Sequence, residues 1–287
     1  MILYCNIILM FKNKISINNF RCMLGQRKNG VQFGGDYILK HNKNSIYRSN
    51  NIQTIYINSK YDYIKGYNII NKNLKNGIFN LNLGGDHSIS VCTIKPIIEL
   101  FNKDLLVIWI DAHGDINTIK SSKTQNTHGM PLSYLMKIPN YWNPIQINSI
   151  NKLYPANLIY LGIRDLDDYE ENIIYKKKIT FYKKFNSKII DIIKKHPAKY
   201  IHISCDIDSM DPSIMPSTGT SVPKGLSRED VESIIIACND RLISFDLVEF
   251  NPMIGNEKDV NKTLTNINKI IKSVMSRNSY QYNTIFL

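Results

Sequence analysis

Three polar residues near the middle of the chain have the types and the spacing of metal ligands. Asp111, His113 and Asp115 lie two positions apart, directly after the apolar run at 105–110. In an extended backbone this spacing points the three side chains to one side. Carboxylates packed so closely repel each other and lose hydration unless a cation neutralises them. We therefore predict a metal site at the end of this run.

The apolar pattern predicts the elements that must position these residues. Uninterrupted apolar runs are typical of strands buried on both faces, and helical patterns separate them along the chain. This alternation predicts an α/β fold, a single-domain three-layer αβα sandwich with a largely parallel central sheet. The predicted strands cover 14–20, 52–57, 78–83, 105–110, 158–163, 200–205 and 242–248, and the predicted helices cover 36–41, 88–102, 131–137, 183–195, 227–238 and 259–275.

Acids and histidines follow several of these predicted strands. In open α/β sheets ligands bind beyond the carboxyl ends of the strands, so these residues are candidates for one shared site. The candidates at five strand ends are His87; Asp111, His113 and Asp115; Asp165 and Asp167; Asp206 and Asp208; and Glu249.

The types of these residues also indicate which ion they would bind. Carboxylates with two imidazoles suit Mn(II) or a similar ion better than a thiolate-bound structural zinc. His87, the 111–115 triplet and the pair Asp206 and Asp208 exceed what one ion needs. We therefore predict two ions bridged by carboxylates, which can lower the pKa of a bridging water and supply hydroxide at neutral pH.

Three short motifs resemble the signature motifs of the ureohydrolases, in the order of that family. They are Gly-Gly-Asp-His-Ser at 84–88, Asp-Ala-His-Gly-Asp at 111–115 and Ser-Cys-Asp-Ile-Asp-Ser-Met-Asp-Pro at 204–212. The similarity runs from about Gly25 to the last predicted helix and implies the arginase-like fold. It implies that one manganese ion is held by His87, Asp111, Asp115 and Asp206, and the other by Asp111, His113, Asp206 and Asp208, so that Asp111 and Asp206 bridge.

Within that family the chain most resembles the arginases. They carry Ile-Asn-Thr and a later His-Gly, as at 116–118 and 128–129, and a Gly-x-Arg-Asp-x-Asp stretch, as at 162–167. The resemblance implies that Asn117, Thr124 and Asn126 bind the substrate α-carboxylate. It also implies that Asp167 and Glu170 meet the α-amino group.

Agmatinases lack this amino-acid site, so the resemblance implies hydrolysis of L-arginine to L-ornithine and urea. Three positions depart from the arginase pattern: Thr124 stands where serine is usual, Gln125 where glycine is usual, and Ser221 where proline is common. Thr124 keeps the hydroxyl group, whereas Gln125 has less access to a positive φ than glycine.

The guanidinium carbon is a poor electrophile, so the predicted mechanism uses a metal-bridging hydroxide as the nucleophile. Asp115 would accept a hydrogen bond from it and orient it. By resemblance, Glu249 pairs with the guanidinium and His128 delivers a proton to the departing ornithine amine.

Composition bounds the remaining classes. The net charge of +12 comes from scattered lysines without a basic helix or a stacking platform, which disfavours nucleic-acid binding. Five widely spaced cysteines without a CxxC pair favour a reducing, cytoplasmic location. No segment predicts a membrane span, and 1–11 is expected to be a strand or a disordered leader rather than a signal peptide.

We divide the single domain into a leader and first-strand region at 1–24 and a main part at 25–287. By resemblance, we expect a homotrimer.

Three other functions stay open. The first is another ureohydrolase, acting on agmatine or a guanidino acid. The second is a binding or scaffold protein on the same fold, catalytically weak because of the loop departures. The third is a basic nucleic-acid binder, which failure to bind DNA or RNA at low salt would exclude.

Overall fold

Eight strands form one sheet in the computed structural model, which describes residue 11, residues 14–41 and residues 51–276. The strand order is β2-β1-β3-β8-β7-β4-β5-β6, and every neighbouring pair is parallel. The predicted α/β fold with a largely parallel sheet is confirmed. The strands are β1 (Ile15–Cys22), β2 (Asn51–Ile57), β3 (Phe79–Leu83), β4 (Leu105–Ile110), β5 (Leu158–Leu161), β6 (Thr180–Tyr182), β7 (Tyr200–Asp206) and β8 (Leu242–Val248).

Helices cover both faces of the sheet and give the three layers that the pattern predicts. The helices are α1 (Gly34–His41), α2 (Tyr63–Lys75), α3 (Ser90–Phe101), α4 (Pro131–Leu135), α5 (Asp168–Lys176), α6 (Ser187–Lys195), α7 (Arg228–Cys238) and α8 (Glu257–Ser276). Apolar residues of α1, α6, α7 and α8 pack on one face, and those of α2, α3, α4 and α5 pack on the other. Within the described ranges, no helix combines the length and the apolar character that crossing a membrane requires.

Two helices and one strand were not predicted. Helix α2 contains Gly66 and three asparagines, which are poor helix formers, and it forms because Tyr63, Ile70 and Leu74 are buried against the sheet. Strand β6 has only three residues and lies at the sheet edge, so it leaves no periodic pattern. Helix α5 begins directly after Asp167, in a segment for which we predicted only substrate-binding residues and no helix.

Some predicted boundaries shift by a few residues. Helix α1 begins at Gly34 rather than at Asp36, and α6 begins at Ser187 after an Asn186 cap rather than at position 183. A capping box precedes α7, since Asp230 N donates to Ser227 Oγ and Ser227 N donates to Asp230 Oδ2. The expectation for 1–11 falls, except for Phe11, outside the described residues. The division at residue 24 stays a prediction.

A row of hydrogen-bonded polar side chains crosses four strands of the sheet on the side of α2 and α3. Gln53 Nε2 donates to Asn18 Oδ1, Asn18 Nδ2 to Asn82 Oδ1, and Asn82 Nδ2 to Asp246 Oδ1, each at 2.7 Å. These four residues lie on the neighbouring strands β2, β1, β3 and β8 and occupy matching register positions. Thr93 Oγ1 of α3 completes the row by donating to Asp246 Oδ2 at 2.5 Å.

Candidate metal centre

The predicted site residues meet at the carboxyl ends of five strands that are neighbours in the sheet, in the order β3-β8-β7-β4-β5. His87 follows β3, Glu249 follows β8, and Asp206 ends β7. The triplet 111–115 follows β4, and Asp165 and Asp167 follow β5. Residues that are far apart in the sequence are therefore brought to one edge, as the rule for open α/β sheets requires.

A first group of ligand atoms surrounds the imidazole of His87. Its Nδ1 lies 3.0 Å from Asp111 Oδ2, 3.0 Å from Asp115 Oδ2 and 3.4 Å from Asp206 Oδ2. His87 and the three acids are all buried. Three carboxylate oxygens around one imidazole nitrogen match the ligand set predicted for one ion.

A second group surrounds His113 and shares Asp111 with the first. His113 Nδ1 lies 3.4 Å from Asp111 Oδ1 and 3.1 Å from Asp208 Oδ2. Asp111 therefore turns one oxygen toward each group, which is the arrangement of a bridging carboxylate. Asp206 contributes to the first group, and its Oδ1 accepts from Asp208 N at 2.8 Å.

The donors of both groups fit a divalent cation. His87 Nδ1 is buried without a hydrogen-bond partner, although Ser204 Oγ lies 2.9 Å from the other ring nitrogen. Burial, together with the charge of Asp111, raises the pKa of Asp115 to about 6. Burial and the charges of Asp208 and Asp111 likewise raise the pKa of Asp206 well above its usual range. A cation among these oxygens would offset both the burial and the repulsion that raise the pKa of Asp115 and of Asp206.

His128 and Glu249 form a pair beside these groups. His128 Nδ1 lies 2.9 Å from Glu249 Oε1, which also accepts from His87 N at 2.9 Å. Gln26 Nε2 donates to Glu249 Oε2 at 2.6 Å. Burial alone would lower the pKa of His128, but the charge of Glu249 raises it to about 9. The pair therefore favours the protonated form of the imidazole.

A cavity of about 280 Å³ opens onto both groups of ligands. Its wall includes His128 and all five residues predicted to bind the substrate, whereas Glu249 lies behind His128 and outside the wall. The lining residues are His113, Asp115, Asn117, Ser122, Lys123, Thr124, Asn126, His128, Gly129, Asp167, Glu170, Asp206 and Thr220.

Two of the predicted substrate-binding acids also hold the start of α5. Asp167 is its N-cap and forms a capping box with Glu170, while Asp167 Oδ2 accepts from Asn117 Nδ2 at 2.7 Å. Glu170 Oε1 accepts from Ile116 N at 3.3 Å. Burial and the charges of Asp115 and Asp167 raise the pKa of Glu170 to about 8. These hydrogen bonds fix the loop after β4 directly to the start of α5.

Comparison with known proteins agrees with this geometry. The model of the arginase family matches residues 14–276. The arginase of Plasmodium berghei is 33% identical over 92% of this chain and 78% of its own length. The chain belongs to the arginase family. It is thus a member of a hydrolase family, and the motif-based assignment to the ureohydrolases is confirmed.

Solved structures of the arginase family superpose over most of the chain. The structure of Entamoeba histolytica arginase in complex with L-ornithine is 28% identical, with a TM-score of 0.80 over 92% of this chain and 98% of that one. An agmatine ureohydrolase of Thermoplasma volcanium, 20% identical with a TM-score of 0.75 over 96% of this chain and 93% of that one, shares the fold. The fold alone therefore does not separate L-arginine from agmatine as the substrate.

In this arginase-family chain, the side chains of Asp111, His113 and Asp115 are not brought together by the alternation of an extended strand alone. Strand β4 ends at Ile110, and Asp115 has a φ of +48°. Strand-like pairing continues as far as His113, which forms an isolated bridge with Asp165, and the backbone departs from the extended geometry at Asp115. The extended geometry assumed for 111–115 was wrong in this respect, since a strand pattern does not indicate where the chain leaves the sheet.

Sequence reasoning missed several residues that hold the ligands in place. Trp109 stacks on His87 with ring centroids 4.1 Å apart and donates to Asp111 Oδ2 at 3.0 Å. Thr220 Oγ1 donates to Asp208 Oδ2 at 2.7 Å. Arg164 donates to five backbone carbonyls, of Gly162, Asp208, Ser209, Val222 and Pro223. In the sequence, only their positions within or beside the motifs indicated that these residues contact the candidate metal site.

Proposed function

We propose that the chain is a manganese-dependent arginase that hydrolyses L-arginine to L-ornithine and urea. The observation that carries the proposal is the single cavity that joins the two ligand groups to all five predicted substrate-binding residues. L-Arginine has a guanidinium at one end and an amino-acid group at the other. It therefore matches a cavity that has the candidate metal ligands in one part and the predicted substrate-binding residues in another.

The proposed ligands of one Mn(II) are His87, Asp111, Asp115 and Asp206, and those of the other are Asp111, His113, Asp206 and Asp208. When bound, the two ions lower the pKa of water and so supply a nucleophile at neutral pH. The protein residues would then orient the substrate and move protons.

His128 is the proposed proton donor to the departing amine. Its Nδ1 is bonded to Glu249, which leaves Nε2 as the nitrogen available on the cavity side. Glu249 therefore orients His128 and stabilises its positive charge. Direct pairing of Glu249 with the guanidinium would require the Gln26 amide to give up Oε2.

At the opposite end, Asn117, Thr124 and Asn126 are proposed to bind the α-carboxylate, and Asp167 and Glu170 the α-amino group. Asn117 and Asp167 already contact each other, so an amino acid would meet both groups in one place. This contact favours L-arginine over agmatine, which lacks the carboxylate. The homotrimer implied by the resemblance and the cytoplasmic location favoured by the cysteine usage are proposed with it.

A urea assay tests the proposal. Protein stripped with a chelator and reloaded with Mn(II) is expected to release urea from L-arginine with kcat/KM at least about 100-fold above that for agmatine. His128→Asn is expected to lower kcat by about 10²- to 10⁴-fold, with unchanged metal content measured by elemental analysis.

Two results would contradict the proposed arginase function. Activity on agmatine or a guanidino acid but not on L-arginine would identify another ureohydrolase. Metal uptake without urea release, unchanged by His128→Asn, would identify a binding or scaffold protein.

A further inference from the structure

The substrate cavity has an uneven distribution of charge. Four acids line it, namely Asp115, Asp167, Glu170 and Asp206, whereas Lys123 is the one lysine or arginine on this wall in the part of the chain that the structure describes. Lys123 lies in the loop between Asn117 and Asn126, beside the residues proposed to bind the α-carboxylate. A fixed cation there would complement the one anionic group of an amino-acid substrate.

The backbone of Lys123 is held by hydrogen bonds on both sides. Ser122 N donates to Thr118 O at 2.9 Å, and Gln125 N donates to Ser122 Oγ at 3.0 Å. Asn126 N then donates to Thr124 Oγ1 at 3.2 Å. Because these bonds already order the turn, binding through Lys123 costs side-chain entropy but little backbone entropy.

The ammonium group of Lys123 is available for a ligand. Lys123 is exposed, and among the described residues no carboxylate lies within ion-pair distance of it. The nearby acid Asp167 accepts instead from Asn117 and from the first turn of α5. The cavity wall therefore carries a lysine whose charge no described carboxylate neutralises.

We propose that Lys123 is a specificity-determining residue, whose ammonium pairs with the α-carboxylate of the substrate and disfavours decarboxylated analogues. This inference rests on the proposed function and adds a residue that the motif resemblance did not assign. L-Arginine and L-ornithine gain an ion pair from Lys123. Agmatine and putrescine carry an ammonium group without the carboxylate, so Lys123 repels them.

The expected effect is modest because the pair is exposed to solvent. Exposed ion pairs contribute at most about 1 kcal/mol, which corresponds to about a five-fold change in affinity. Lys123→Met is therefore expected to raise KM for L-arginine about two- to five-fold at low salt and to leave kcat unchanged. KM for agmatine should stay constant or fall, and added salt should weaken the difference between variant and wild type.

Lys120→Met provides the matched control. Lys120 is an exposed lysine of the same loop, but it lines a neighbouring cavity with Tyr141 and Tyr169 and not the substrate cavity. Its removal changes the net charge equally and should leave both KM values unchanged. Lys123→Arg keeps the charge and should restore most of the affinity for L-arginine.

Calorimetry on the Mn(II)-loaded protein gives a readout that does not need turnover. Lys123→Met should weaken L-ornithine binding two- to five-fold and leave putrescine binding unchanged or tighter. Equal effects on both ligands, equal effects of Lys120→Met, or a fall in kcat with loss of metal would overturn the role of Lys123. If the wild type binds L-ornithine but releases no urea from L-arginine, the proposed function fails while the ligand comparison still decides the role of Lys123. Absence of L-ornithine binding would overturn both.

Discussion

At the residue scale, the sequence predicted which residues are candidate metal ligands, but it did not predict the backbone conformation that orients their side chains. The motifs placed His87, Asp111 and Asp206 in one site because each follows an apolar run. They did not indicate that Asp115 and Glu249 adopt φ angles of +48° and +67°. Non-glycine residues rarely occupy this region, and strain of this kind concentrates at functional sites. It depends on the surrounding packing, which no local pattern encodes.

Gln125 allows a direct test of backbone strain. Its φ is +58°, where glycine is usual in arginases, and its side chain is exposed. Gln125→Gly should raise the free energy of unfolding by about 0.5–1 kcal/mol, since relief of the left-handed conformation exceeds the entropy that glycine adds to the unfolded chain. Urea denaturation measures the change. Lys120→Gly is the control: Lys120 has no positive φ, so glycine there should destabilise, and equal effects at both positions would contradict the explanation.

At the scale of elements, periodic segments were predictable and weakly periodic ones were not. The central strands are buried runs and the helix α7 has its capping box in the sequence, so both were predicted. Helix α5 was missed because its N-cap Asp167 and its Glu170 were interpreted as substrate ligands. The structure gives both residues a place in the cavity wall and in the helix cap. Because acids are common both in helix caps and in binding sites, assigning these two acids to the binding site left the helix cap unrecognised.

The cap of α7 is expected to contribute measurably to stability. Ser227→Ala removes the hydroxyl that accepts from Asp230 N and should lower the free energy of unfolding by about 1 kcal/mol. Ser233→Ala is the control on the same helix. Its hydroxyl only bonds back to Glu229 O at 2.8 Å, and alanine is the better helix former, so stability should change by less than about 0.5 kcal/mol. A loss as large at Ser233 as at Ser227 would argue against the cap.

At the scale of the whole molecule, the site exists because β3, β8, β7, β4 and β5 are adjacent. The sequence predicted that polar residues follow these strands, but not the strand order, which depends on how the helices pack on the two faces. Only the folded sheet brings Glu249 beside His128, 121 positions away. The resemblance to the ureohydrolases implied that Glu249 and His128 lie close together, because it assigned both residues to one site.

Metal binding is expected to stabilise the whole fold. An ion present at 100 times its dissociation constant contributes about 2.7 kcal/mol per site, so removal by a chelator should lower Tm by several degrees. Restoring Mn(II) should reverse the change, as followed by calorimetry or circular dichroism.

Asp111→Asn should abolish the Mn(II)-dependent rise in Tm, because Asp111 belongs to both ligand groups. Asp168→Asn removes an exposed acid of α5 outside these groups and should retain the rise. An equal rise in both variants would refute the assignment of the ligands.

The polar row through Asn18, Asn82 and Asp246 bears on how the sheet assembles. Strands buried on both faces lack the apolar–polar alternation that normally distinguishes one pairing register from the next. In this sheet the carboxamides break that symmetry, since a shift of one residue would move Asn18 and Asn82 into the layer that holds Ile17, Leu81 and Leu83. Their amide groups would then be buried without partners, at a cost of about 1–3 kcal/mol each. The row therefore favours the observed pairing register of β1, β3 and β8, on which the alignment of the site residues at the sheet edge depends.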